Sequence, residues 1–179
     1  MRVDDEAGPF SGVNLTLYDR TGHRKYLTAE ERDAFLSTAE FASREVRTFC
    51  AVLAYTGCRI SEAHALTADR VDLEDTVIIF ETLKKRRSGI YRAVPVPDTL
   101  LQVLDLVHGI RDAQARRDGG RRHRLWPWSR MTGYRRVMEV LARAEVTGPH
   151  ATPKGLRHGF GVAAVSAGIH RLGRADLCA

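Results

Sequence analysis

The sequence predicts a mainly α-helical domain carrying a small antiparallel β-sheet, an α+β fold. Three observations predict it. Apolar residues recur at helical spacing through most of the longer segments, as in Val46, Phe49, Cys50, Leu53 and Ala54. One short β-branched run, Val77-Ile78-Ile79-Phe80, reads as a buried strand. Lys84-Lys85-Arg86-Arg87-Ser88-Gly89 then separates it from the returning run Ile90–Val96, whose Pro95, with Pro97 just beyond, suits a sheet edge.

In chain order, residues 1–12 read as an acidic lead-in. Val13–Tyr18 alternates like a strand, Asp19–Gly22 like a turn, and His23–Leu27 can return beside it. We therefore divide the chain into a lead-in, 1–27, with a possible β-hairpin, and a main domain, 28–179. Thr28-Ala29-Glu30-Glu31 is a capping box that opens a helix to about Glu40. A second helix, 43–56, stops at Gly57, and Ser61 is positioned to cap a short third helix ending near Leu66. Val71–Leu73 and Thr76–Leu83 are strand-like, and the hairpin 76–96 has a basic tip. Asp98 or Thr99 caps a helix to about Val107, and 109–124, with three glycines and six arginines, reads as a polar loop. Trp126 and Trp128 are expected to pack inside. Ser129 starts a helix to about Val146 that presents Arg130, Arg135, Arg136 and Arg143. Thr152-Pro153 pairs an N-cap with proline at the first helical position, ahead of the helix 154–167.

A hydrophobic content of 44% beside 28% charged residues is that of an ordinary soluble domain with enough apolar mass for one core. No stretch reaches the roughly 20 apolar residues of a membrane span. Cys50, Cys58 and Cys178 are odd in number and form no CxxC pair, so neither a disulfide framework nor a metal site is expected, and the compartment is read as cytoplasmic. The net charge of +6 is unevenly spread. Residues 1–83 hold 9 Lys/Arg against 15 Asp/Glu, whereas residues 84–179 hold 19 against 7. A positive second half fits either a polyanion partner, most simply nucleic acid, or a merely soluble basic surface.

Thr56-Gly57-Cys58-Arg59-Ile60-Ser61-Glu62 is the informative corner. By itself it fits a structural Arg59–Glu62 pair at a helix–helix turn. Two further pieces follow in order: Lys84-Lys85 at the hairpin tip, and Lys154-Gly155-Leu156-Arg157-His158-Gly159-Phe160 at the start of a helix. Together these resemble the catalytic domain of the tyrosine recombinases, the phage integrase family, over about residues 28–177. The resemblance implies DNA breakage and rejoining through a phosphotyrosine, with double-stranded DNA as partner and no cofactor or metal. It assigns Arg59 and Arg157 to a clamp on the phosphate oxygens, and Lys84, or else Lys85, to protonating the leaving hydroxyl. Lys85, Arg86 and Arg87 would touch DNA phosphates, Glu62 would hold the Arg59 corner, and His158 would bond the backbone.

The sequence departs from the family pattern in three places. Lys154 stands where the family has histidine three residues before the second arginine. Lysine binds phosphate as a point charge but, with a reference pKa of about 10.4, shuttles protons poorly near neutrality. Leu172-Gly173-Arg174 resembles the family's Leu-Gly-His motif with Arg174 in the histidine's place, and it comes a few residues early. The family tyrosine falls beyond Ala179, since Tyr18, Tyr26, Tyr55, Tyr91 and Tyr134 all precede Arg157. The lead-in is also too short for the family's DNA-closing helical domain.

These departures lead us to expect a C-terminally truncated recombinase domain, incapable of cutting DNA in cis and bound to DNA mainly through charge. A variant of this reading has a full-length recombinase protomer donate the tyrosine in trans; the alternatives are a non-catalytic basic DNA-binding module acting with a full-length partner, and an unstable remnant. Nucleoid association would follow from DNA binding. Arg59→Ala and Arg157→Ala should each weaken duplex binding more than Arg117→Ala in a titration; equal effects would mean that only diffuse charge matters.

Overall fold

The computed structural model describes residues 17–82, 89–116 and 122–167. The basic tip 84–87, the Leu-Gly-Arg174 stretch, Cys178 and most of the proposed first strand lie outside the described residues. The fold is the α+β class expected, seven helices and a three-stranded antiparallel sheet among the described residues.

Helix α1, Ala29–Ala39, begins with the expected reciprocal cap: the Thr28 hydroxyl accepts from Glu31 N and the Glu31 carboxylate accepts from Thr28 N. Before it, among the described residues of the lead-in, Tyr18 and Arg24 form an antiparallel bridge. Helix α2, Arg44–Thr56, is the central element, with Val46, Phe49, Cys50, Val52, Leu53 and Ala54 all buried. Phe49 meets Trp126 edge to face at 5.0 Å, and the Trp126 indole N–H donates to Glu45 O at 2.9 Å, so the buried ring leaves no polar group unpaired.

Helix α3, Ile60–His64, starts earlier than expected. Ser61 lies inside it, and its N-cap is Arg59, whose backbone N–H donates to the Glu62 carboxylate reaching back from the first turn. A 3-10 turn, Ala68–Arg70, leads into β1, Val71–Asp72. Strand β2, Val77–Glu81, pairs with β1 on one side and with β3, Tyr91–Pro95, on the other, in the register Phe80 to Arg92. β3 is therefore an edge, which is why it tolerates Pro95.

Helix α4, Asp98–His108, starts straight after Pro97, its N-cap residue, one residue earlier than a capping Asp98 would allow. The expected loop 109–124 is partly helical: α5, Ile110–Ala115, follows Gly109 directly. Ile110 is fully buried, and the Gln114 side chain donates to the carbonyls of Ala68 and Val71. Tertiary contacts thus overrode the loop-like composition. Helix α6, Arg130–Arg143, starts at the Ser129 cap and stops before the expected Val146, where Glu145 turns at φ +55°.

Helix α7, Pro153–Ser166, is capped by Thr152 and carries the Lys154–Phe160 motif. It crosses the chain ahead of it so closely that a Cβ at Gly155 would stand 1.8 Å from His150 O, while Leu27 N donates to Gly155 O at 3.1 Å. Gly155→Ala should therefore lose about 3 kcal/mol in denaturant unfolding, at the upper end of overpacking costs because backbone must move. Gly161→Ala, with open space around its Cβ, should gain about 0.5–1 kcal/mol from helix propensity.

Candidate functional site: arginines around a buried carboxylate

The site begins with the way α2 ends. Gly57 adopts φ +56°, a left-handed conformation that suits glycine, and its N–H closes the helix onto Leu53 O. Phe160 of α7 packs into the space beside it, and a Cβ on Gly57 would lie 2.4 Å from that ring. The Gly57–Phe160 contact brings the corner that bears Arg59 against the helix that bears Arg157. Cys58 is 1% exposed, its thiol pushed up to about 12 by burial, so it packs and does not react.

Glu62 lies at the centre. Its side chain has no exposure, and its carboxylate accepts from Arg59 Nη1 at 2.7 Å, Arg59 N at 2.8 Å and Arg92 Nη2 at 2.7 Å. Burial alone would raise its pKa. The hydrogen bonds from Arg92 and from the Arg59 backbone and side chain outweigh it, and the carboxyl sits below 4.5.

Arg157, half-buried on α7, lies within electrostatic reach of Arg59, Arg92 and Glu62. Burial, then the like charges of Arg59 and Arg92, lower its pKa from 12.5, with Glu62 partly opposing them; a guanidinium remains charged at neutral pH all the same. Among the described residues, no carboxylate lies within ion-pair distance of it and no hydrogen bond holds it. Two guanidiniums thus share one carboxylate, with a third in electrostatic reach of it. The excess positive charge faces partial solvent, a setting suited to an anion with several acceptor oxygens.

Lys154 is exposed in the first turn of α7, where the helix dipole disfavours a cation and a bound anion would offset it. His158 Nδ1 lies 3.2 Å from Lys25 O. Burial lowers its pKa below 6.5; the Lys25 carbonyl opposes this, and Lys154 and Arg157 add to it, so the ring is neutral at pH 7. His64 is turned inward and bonds the Trp128 carbonyl. Among the described residues no three His, Cys, Asp or Glu side chains converge as a metal site would.

Arg92 is the member that reading the sequence missed. Its signal was present: on β3 it lies in phase with Val94 and Val96, so an inward-facing charge there needed a partner.

The sequence matches the phage integrase family over residues 25–171. The chain belongs to that family. No curated protein sequence gives a significant match. Among solved structures, XerA recombinase superposes with a TM-score of 0.63 at 24% identity, over 80% of this chain and 51% of that one. XerH site-specific recombinase, bound to its difH substrate before cleavage, gives 0.64 at 18% identity, over 84% and 49%. The lambda integrase catalytic core gives 0.57 at 20% identity, over 80% and 85%. The chain therefore has the tyrosine-recombinase catalytic-domain fold, and it spans about half the length of XerA and XerH.

The Glu62 carboxyl is depressed in the folded state, so the stability it contributes is present above its unfolded pKa, near 4.5, and is lost as pH falls below that. Glu62→Gln should cost about 2 kcal/mol near pH 7, limited because Arg59 and Arg92 both reach solvent. The gap between the variants should shrink as urea melts are repeated from pH 5 downward; a gap independent of pH would show that the charge is not the cause.

Proposed function

We propose that this chain is the phosphate-gripping part of a site-specific DNA recombinase, with Arg59 and Arg157 binding the non-bridging oxygens of one backbone phosphate. One observation carries this reading: α7 brings Arg157, which makes no ion pair among the described residues, beside an Arg59 already oriented by buried Glu62. Family membership supports it, as do the DNA complexes of XerH and of the Tn1549 transposon integrase, whose fold this chain shares. An origin in a mobile element and a nucleoid-associated, cytoplasmic location go with it.

The chemistry follows from charge. When a tyrosine oxygen attacks phosphorus, an O–P bond forms to the 3′ side, the P–O5′ bond breaks, and negative charge gathers on the non-bridging oxygens. Two guanidinium forks stabilise that charge, and removing one should raise the barrier by about 3 kcal/mol. The departing O5′ takes a proton from Lys84 or Lys85. Lys154 supplies a point charge, and Arg174 a weaker contact. Lys85, Arg86 and Arg87 hold neighbouring phosphates, while Glu62 and His158 brace the site. None of the five tyrosines in these 179 residues takes the nucleophile's role, so the attacking hydroxyl comes from outside them, for instance from a full-length recombinase protomer. The alternative, a non-catalytic DNA-binding module, shares the clamp and lacks the covalent step.

Binding to a labelled duplex should weaken steeply with salt, and Arg157→Ala should reduce the log–log salt slope by about 1. An unchanged slope would remove the phosphate contact. On a nicked suicide substrate these 179 residues alone should give no covalent adduct; an adduct would place the nucleophile among them.

A further inference from the structure

Glu62 presents about four acceptor positions, and three are filled: Oε1 by Arg59 Nη1, Oε2 by Arg59 N and Arg92 Nη2. Arg92 is held to this task from two sides. Its strand is registered against β2 with Arg92 opposite Phe80, and its guanidinium lies 5.1 Å from the Phe80 ring centre. The Arg92 side chain is 33% exposed, whereas that of Glu62 is wholly enclosed. Arg157, in electrostatic reach of the same carboxylate, makes no ion pair among the described residues.

We propose that Arg92 is a positioning residue: by occupying Glu62 Oε2 it keeps the carboxylate from capturing Arg157, and so leaves Arg157 open to the DNA phosphate. The inference rests on the phosphate-clamp reading for its purpose. The physical reason is competition. A buried carboxylate that loses a cationic donor is left with an uncompensated charge, costlier than the one lone pair it already leaves open, and draws in another cation within reach. Without Arg92 that cation is Arg157, and an arginine paired internally must break the pair before it can bind phosphate. Arg92 also sits just after the segment containing Lys84–Arg87, so the strand that leaves the basic tip sets the charge balance of the Arg59 corner.

Competition predicts a reversal that simple structural support does not. In Arg92→Ala, Arg157 should react roughly tenfold more slowly with an arginine-selective dicarbonyl, followed by peptide mass spectrometry. Duplex affinity should fall by a similar factor. In the double variant Arg92→Ala/Glu62→Gln, which removes the competing charge, Arg157 reactivity should recover toward the parent; duplex affinity is not the readout there, because Glu62 also orients Arg59. Arg92→Lys, which keeps a charged donor to Oε2, should stay near the parent and covers the case in which Arg92→Ala folds poorly. Arg157 reactivity indifferent to Arg92→Ala, or reactivity in the double variant no higher than in Arg92→Ala, would overturn the proposal. If Arg157 reactivity follows Arg92 while Arg157→Ala leaves duplex affinity untouched, the phosphate-clamp reading fails and the competition at Glu62 stands.

Discussion

A carboxylate with no solvent exposure is tolerable only if donors surround it, and Glu62 draws those donors from two elements at once. Arg59 belongs to the corner between α2 and α3, Arg92 to the edge strand β3. Stripped of either partner, the enclosed charge would be strongly destabilising. The helical part and the sheet are therefore tied through an ion pair rather than by apolar packing alone. What remains after Glu62 is satisfied is surplus positive charge, carried by Arg157 on α7. The same interaction that stabilises the corner leaves the site short of an anion.

Close packing turns that surplus into a site. Gly57 and Gly155 each stand where a side chain would collide, the first with Phe160 and the second with the His150 carbonyl. Both contacts set where α7 lies, and hence where Arg157 stands relative to Arg59. The residues of the motif therefore divide their work. Gly155 and Phe160 seat the helix, and Lys154 and Arg157 use the position. His158 reaches the Lys25 carbonyl and ties the lead-in to the domain.

Much of this was legible in the residues because it rests on local physics. Thr28–Glu31, Ser129 and Thr152-Pro153 begin helices as written, since a cap is decided within a few residues. Gly57 ends α2 for the same local reason, and Pro95 marks an edge strand because proline cannot donate to a neighbour. The misreadings arose where distant contacts intervened. Ile110–Ala115 has the composition of a loop, yet a fully buried Ile110 and the Gln114 bonds to two carbonyls make it helix. Ser61 looked like a cap, and the helix begins ahead of it, at Ile60.

The sequence by itself determined the class of fold and the family resemblance and singled out Arg59 and Arg157 as candidates, because spacing and capping are short-range properties that a chain carries wherever it folds. Only the tertiary structure decided that Arg92, far along the chain, shares the carboxylate of Arg59, and that Arg157 comes beside them with no ion pair among the described residues. Those facts depend on strand register and on how closely α7 approaches α2. Electrostatic partnership in a buried site is set by distance in space, which no spacing in the chain encodes.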